Sequence, residues 1–358
     1  MSTIHYAGQK KDIKSLTYAE LEQLTERFSE KKFRAGQLFS WLHQKRITSF
    51  EEATNLSKAF RSRLEEEAFL TILKVRRVQT SAIDGTKKYL FECEDGSLIE
   101  SVLMPYDFGN SVCVSSQVGC ACGCKFCAST IDGVKRNLTA GEMLEQVYAV
   151  CRESGEDVSR VVVMGSGEPF LNYDHLKRFI YLLSDERGMN IGRRHITVST
   201  CGIIPRFHDA ARDFPQVNIA VSLHAALQSK REEIMPTAKT YHLDDILEAC
   251  RETAARTGRR LTFEYALMQG VNDTQEDILA LRDRLKDLPC VVNLIRVNPV
   301  RRTATQDGLR EAYVEPNETN VRSFQKNLEK MGINVTIRRE MGRDIDGACG
   351  QLVRRYTV

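Results

Sequence analysis

The chain has 358 residues, 42% of them hydrophobic, and its 51 basic and 48 acidic side chains leave a net charge of +3. That length and content allow a sizeable core in one large domain or two, and the balanced charge is not that of a chain that grips nucleic acid through overall charge. No run reaches the 18 apolar residues a membrane-spanning helix needs. Met1-Ser2-Thr3-Ile4-His5 has no apolar secretion segment, so a cytoplasmic location is expected.

Residues 1–75 read as helical. Thr17-Tyr-Ala-Glu20 forms a capping box that opens a helix with Leu21, Leu24 and Phe28 on one face. Phe33–Gln44 is a second amphipathic helix, and Thr48–Leu70 supplies further helix. Lys74–Met104 alternates as strands do, with Glu94-Asp95-Gly96-Ser97 as a turn. From about residue 110 short β-branched runs alternate with helical stretches. The strands are Val112–Ser115, Val161–Met164, Ile196–Ser199, Val217–Leu223, Leu261–Leu267, Val291–Val297 and Val335–Arg338. The intervening helices include Ala140–Arg152, behind a second capping box at Thr139-Ala-Gly-Glu142, and Asp174–Leu183. This βα alternation predicts an α/β fold with a parallel sheet, open or closed into a barrel.

Eleven cysteines without a secretion signal point to metal binding or redox chemistry rather than a disulfide scaffold. Cys120-Ala-Cys122-Gly-Cys124-Lys-Phe-Cys127 is a C-x3-C-x2-C run. Three thiolates on one loop can hold three irons of a [4Fe–4S] cluster and leave the fourth iron open, whereas ordinary electron-transfer clusters use four protein ligands. A zinc knuckle would need a second ligand pair at zinc spacing, and none follows. Ordinary buried thiols are the bland alternative. Cys122 breaks the spacing and is read as a spare thiol.

Further polar motifs fall at predicted strand ends: Gly165-Ser-Gly-Glu168-Pro, Ser199-Thr-Cys-Gly202, Ser222-Leu-His224 and Asn298-Pro299. A turn or cap explains any one of them. Together they define one mouth, because parallel α/β folds bind ligands at the carboxyl ends of their strands. Basic pairs at Lys10-Lys11, Lys31-Lys32, Arg193-Arg194, Arg259-Arg260, Arg301-Arg302, Arg338-Arg339 and Arg354-Arg355 read singly as solvated ends. Gathered on one face they could hold phosphates.

With these residues the chain resembles the radical S-adenosylmethionine (SAM) RNA methyltransferases of the RlmN/Cfr family. The resemblance runs from about Thr17 to Leu352. It is carried by Cys113-Val-Ser-Ser-Gln-Val-Gly-Cys120, Cys124-Lys-Phe-Cys127-Ala, Arg136-Asn-Leu-Thr139, Met164-Gly-Ser-Gly-Glu168-Pro, Ser222-Leu-His224 and Asp344-Ile-Asp-Gly-Ala-Cys349-Gly-Gln-Leu352. It implies a partial parallel (β/α) barrel with a helical RNA-binding accessory domain over residues 1–75. It further implies a strand-rich linker region over 76–108 carrying Glu100, the barrel over 109–345 and a C-terminal loop over 346–358. The implied reaction is methylation of adenosine 2503 in 23S ribosomal RNA. The C2-methylating branch also takes adenosine 37 of some transfer RNAs, and a C8-methylating, antibiotic-resistance branch is the alternative.

The family's chemistry assigns roles. Adenine C2 and C8 are poor nucleophiles. One SAM methylates a cysteine, matched by Cys349, and a second binds the open iron and yields a carbon radical that activates that methyl group. Two SAM molecules are therefore used per turnover, with a [4Fe–4S] cluster on Cys120, Cys124 and Cys127. Cys113 matches the cysteine that releases the product by forming a disulfide with Cys349, and Glu100 the carboxylate that takes a proton from the adduct. Gly167 and Glu168 match the methionine amino site. Ser199, Ser222, Leu223, His224 and Asn298 match the surroundings of the ribose, carboxylate and adenine. A reductant such as flavodoxin or ferredoxin, no membrane and a monomer complete the expectation. Read without the family, Cys113 and Cys349 are as well explained as core thiols, Glu100 as a solvent-facing strand carboxylate and Asp344-Ile-Asp346 as a surface turn.

Three positions depart from the family pattern. Arg296 stands where the C2 branch usually has proline and the C8 branch arginine. Thr237-Ala238 replaces the usual Ile-Asn, and Cys201 fills a variable slot. Two further readings stay open: a radical SAM enzyme with a protein or small-molecule substrate, which needs neither Cys113 nor Cys349, and a non-enzymatic metal-bearing RNA-binding module.

Overall fold

The computed structural model describes residues 10–298, 313–345 and 347. In chain order β1 is Lys11–Asp12, α1 Tyr18–Arg27, α2 Phe33–His43, α3 Lys58–Glu67 and β2 Ala68–Phe69. Strands β3 Lys74–Thr80, β4 Lys87–Glu92, β5 Leu98–Met104 and β6 Asn110–Val114 follow, then the short pair β7 Gln117–Gly119 and β8 Val134–Asn137. The βα series is α4 Ala140–Ser154, β9 Val158–Val163, α5 Tyr173–Ser184, β10 Ile196–Thr200, α6 Pro205–Asp213, β11 Asn218–Ser222, α7 Gln228–Ile234, α8 Leu243–Thr257, β12 Leu261–Leu267, α9 Gln275–Leu285, β13 Cys290–Arg296, α10 Glu318–Lys330 and β14 Val335–Ile337.

Ten strands form one sheet in the order β14-β13-β12-β11-β10-β9-β6-β5-β4-β3. From β6 to β14 every pairing is parallel, and β5, β4 and β3 add an antiparallel edge. The sheet is open rather than closed on itself, so its inner face has a lateral entrance. Alternation sorts the side chains of each strand onto two faces. Val112, Val114, Val161, Val163, Val198, Val221, Phe263 and Leu294 belong to the main core, beneath the helices. The other face carries Glu100 and Val102 of β5, Cys113 of β6, Val162 of β9, Ser199 of β10, Ser222 of β11, Glu264 of β12 and Asn293 of β13. The registers Val102↔Cys113↔Val162 and Ser222↔Glu264↔Asn293 fix these as neighbours.

The predicted capping boxes are present. Thr17 and Glu20 open α1, and Thr139 and Glu142 open α4, each side chain bonding the other's backbone N–H. The amino-terminal helices are fastened to α4 by buried charge. Lys14 Nζ donates to Glu145 Oε2 at 2.6 Å and to the Thr71 carbonyl at 2.9 Å, and Arg152 pairs with the same carboxylate. A buried ion pair is tolerated only when its remaining donors and acceptors are met, as they are here.

His43 of α2 meets the Tyr148 hydroxyl through Nδ1 at 2.7 Å. Burial, with Lys14 nearby, holds its pKa down at about 3. The unfolded chain therefore takes up this proton first. The stabilisation is intact above pH ~6.5 and is lost as pH falls toward the folded value. Melting temperature is expected to drop on acidification below pH ~6.5, and His43→Gln to make that drop shallower. An unchanged slope in the variant would remove His43 as a cause.

Candidate active site

The cysteine loop is bracketed by β7 and β8. Its neck is closed by the Cys120 N–H on the Gly133 carbonyl at 3.0 Å. Gly119 lies at φ +77, and a Cβ there would fall 2.0 Å from the Gly133 oxygen, so the neck accepts only glycine. Thr130 Oγ1 donates to the carbonyls of Cys124 and Cys127 at 3.0 and 2.9 Å. Lys125 N–H reaches the Ile234 carbonyl at 2.9 Å, docking the loop on the carboxyl end of α7. Sequence reasoning missed the β7–β8 pair because three or four residues are too short to show a period.

Cys120, Cys122 and Cys124 are buried together beside the half-buried Cys127 and Cys201. Burial pushes the Cys127 thiol up to about 11. Hydrogen bonding to Cys201, with burial, raises Cys124. Hydrogen bonding from Cys122 lowers Cys120, and from Cys122 and Cys124 lowers Cys201. Buried thiols that hold their protons become thiolates when a metal replaces those protons. Three thiols anchored on one braced loop therefore fit an iron–sulfur cluster. Cys122, read as a spare, has its sulfur in a group with Cys201 and Glu168, all ligand atoms within 4.8 Å of one another.

Glu168 ends the turn after β9 and is 1% exposed. Its Oε2 accepts from the Cys201 N–H at 2.7 Å and its Oε1 from the Phe170 N–H at 2.9 Å. Burial raises its pKa well above the usual carboxylate range, so a cationic partner is the natural means of keeping it ionised. Gly167 beside it has φ +107, and a Cβ would clash with Gln117 and Ser116 at 2.6–2.7 Å. Glu168→Gln keeps the shape and removes the charge. A charge-assisted hydrogen bond contributes about 1.5–3 kcal/mol, so SAM affinity is expected to weaken roughly 10- to 100-fold by titration calorimetry. Unchanged affinity would release Glu168 from this role.

Ser199 and Ser222 meet at the ends of β10 and β11, their hydroxyls 3.4 Å apart. Leu223 and His224 follow, with both N–H groups on the Glu264 carbonyl at 3.0 and 3.2 Å. His224 takes φ +56, rare for a residue with a side chain and a marker of a constrained site. Its Nδ1 accepts from the Ala266 N–H at 2.9 Å, its ring meets Phe126 edge-on, and burial lowers its pKa to about 4, so it is neutral at physiological pH. Asn298 follows β13.

Glu100, which sequence reasoning without the family places toward solvent, is buried at 1% exposure beside Lys88, 3.6 Å from its Oε1. β4 pairs with β5 here and sets the buried Lys88 beside it. Cys113 packs with Val102, Met104 and Met341 in a small apolar cluster on the same face. Among the described residues there is no disulfide. Cys349, Arg301-Arg302 and Arg354-Arg355 lie outside the described residues. Asp344 is exposed in a short 3-10 turn, and its carboxylate accepts the Ala82 N–H at 2.9 Å. A cavity of about 700 Å³ opens on the inner face toward the amino-terminal ends of β10–β13, away from the mouth, lined by Thr197, Asn218, Arg259, Arg260, Glu264 and Arg338 among others. Arg296 is tied to Glu340 at 2.6 Å and lies 3.6 Å from Glu315.

A parallel sheet with polar motifs at its carboxyl edge and a three-cysteine loop at its mouth defines a radical SAM protein, and residues 114–282 match the radical SAM superfamily. Residues 11–70 match the amino-terminal domain of ribosomal RNA large subunit methyltransferases. The chain is 52% identical over 346 residues, 96% of each protein, to a probable dual-specificity RNA methyltransferase RlmN of Lachnospira eligens. It is 47% identical to one of Alkaliphilus oremlandii, over 97% of this chain and 99% of that one. The crystal structure of a radical SAM methyltransferase from Sphaerobacter thermophilus superposes with a TM-score of 0.89 at 41% identity, covering 96% of this chain and 99% of that one. The chain belongs to the RlmN family of radical SAM methyltransferases. It is therefore a transferase, and its superfamily implies a [4Fe–4S] cluster and SAM. No helix among the described residues is long and apolar enough to cross a membrane.

Proposed function

We propose that the protein methylates C2 of adenosine 2503 in 23S ribosomal RNA, with adenosine 37 of transfer RNA as a second substrate. The observation that carries this reading is the shared inner face of the sheet. It brings Glu100 and Cys113, which a generic radical SAM enzyme does not need, alongside the strand ends that line the mouth. Cys120, Cys124 and Cys127 would hold the cluster. When bound, the cluster supplies the electron that cleaves SAM to a carbon radical. Glu168, with the Gly167 backbone, orients the methionine amino group. Ser199, Ser222, Leu223, His224 and Asn298 surround the rest of SAM.

Cys349 carries the methyl group. Cys113 releases the product by pairing with Cys349, and Glu100 takes a proton from the adduct. The helices of residues 11–70 add shape recognition of RNA. C2 is favoured over C8 because the Arg296 guanidinium is occupied by two carboxylates rather than offered to substrate. Relatives named RlmN at about half identity favour the same branch. A flavodoxin- or ferredoxin-type reductant, the cytoplasm and a monomer complete the proposal.

Reconstituted protein, a reductant and SAM labelled in its methyl group are expected to label a 23S ribosomal RNA fragment. SAM cleavage without label in RNA would move the substrate to a protein or small molecule.

A further inference from the structure

Asp84 and Asp344 have no part in the reaction proposed above, yet they tie together two segments far apart in the chain. The turn between β3 and β4, residues 81–86, is built by its own bonds. Ser81 N–H donates to the Thr86 carbonyl at 2.8 Å, and Ser81 Oγ accepts from the Ile83 N–H at 3.1 Å. Out of this turn the Asp84 carboxylate accepts the Gly342 N–H at 2.9 Å. The Asp344 carboxylate returns the contact by accepting the Ala82 N–H at 2.9 Å. The partners are 258 and 262 positions apart in sequence, so this is a reciprocal staple rather than a local cap. An ionised acceptor makes each of its bonds stronger than a neutral one would. On one side of the staple Met341 is buried with Cys113. On the other the Gly347 N–H closes back on the Gly342 carbonyl at 2.9 Å. The segment is therefore held from the Cys113 pocket to Gly347, two residues before Cys349.

We propose that Asp84 and Asp344 are positioning residues, whose staple fixes the root of the chain that carries Cys349 and so sets how readily Cys349 meets Cys113. The inference rests on the reading that these two cysteines pair at product release. The effective concentration of a tethered group falls roughly as the −3/2 power of tether length. With the staple in place the tether starts at Gly347, two residues from Cys349. With it cut, the last strand bond is that of the Arg338 N–H on the Leu294 carbonyl at 2.8 Å, eleven residues from Cys349. That change in length lowers the effective concentration about tenfold.

The Cys113–Cys349 disulfide constant is the readout. Holoenzyme is equilibrated anaerobically in glutathione buffers, quenched with an alkylating agent and digested, and the peptide pair joined by Cys113 and Cys349 is measured by mass spectrometry. Oxidised glutathione takes two electrons and two protons from the thiols and becomes two reduced molecules. The Asp84→Ala/Asp344→Ala protein is expected to retain its iron and to form this disulfide with a constant about tenfold lower, a potential less negative by about 30 mV. Asp344 is exposed, so Asp344→Ala carries the test if the double variant fails to fold. Asp344→Asn keeps an oxygen to accept the Ala82 N–H and is expected to hold the parent value. An unchanged constant in Asp344→Ala and in the double variant overturns the staple's role. Asp344→Asn shifting as far as Asp344→Ala overturns the hydrogen bond as the cause. A parent protein in which the pair never forms removes the release reading itself, and the staple's role with it.

Discussion

Cys113→Ala protein purified from cells is expected to carry RNA covalently attached. In the proposed sequence Cys349 becomes bonded through its methyl carbon to the adenine, and release needs a second sulfur to take Cys349 into a disulfide. Cys113 faces the inner side of β6 between Val102 and Val162, packed in an apolar pocket with Met341. Alanine fills that pocket with little disturbance, so the first half of the reaction proceeds and the second cannot. The expected readout is an absorbance ratio typical of nucleic acid and an adduct that survives denaturing electrophoresis and yields to ribonuclease. Turnover falls to a single stoichiometric event. Clean Cys113→Ala protein that still turns over would assign release to another group.

Cys127→Ala is expected to abolish iron binding and every downstream step. Cys127 ends the loop, and Thr130 holds its carbonyl at 2.9 Å, so the loop keeps its course without the sulfur. The remaining Cys120 and Cys124 offer two ligands where an open-iron cluster needs three. Because adenine C2 lacks the nucleophilicity for polar methylation, nothing replaces the lost radical. Activity is expected to fall by on the order of a millionfold, the lower end of enzymatic rate enhancement. Iron analysis and the brown absorbance of the cluster check the cause. Retained methylation with no iron would end the radical reading.

Local features were legible in the sequence. The capping boxes at Thr17 and Thr139 and the strand Leu261–Leu267 depend on near neighbours and on period, and they stand where the pattern places them. The polar motifs at strand ends were legible for the same reason, since the βα rhythm sets where strands stop. What the pattern could not show depends on register between distant strands. Glu100 looked solvent-facing because its own strand does not reveal that the sheet continues through β4 and β6 or that the buried Lys88 of β4 lies beside it. The closeness of Cys122 to Cys201 was not legible either, because the return of β10 that brings Cys201 beside it leaves no mark within the loop. Arg296 stood out as a departure, but its carboxylate partners Glu315 and Glu340 lie beyond β13. Family resemblance alone pointed to Cys349.

The central claim is methylation of an RNA adenine at C2. It is tested most directly by incubating cluster-loaded protein with SAM, a reductant and a 23S ribosomal RNA fragment containing position 2503, digesting the RNA, and identifying the nucleoside by mass spectrometry against standards. The account predicts 2-methyladenosine, absent from the Cys349→Ala reaction although that variant keeps its iron. 8-Methyladenosine, or no methylated adenosine from protein that cleaves SAM, would contradict it.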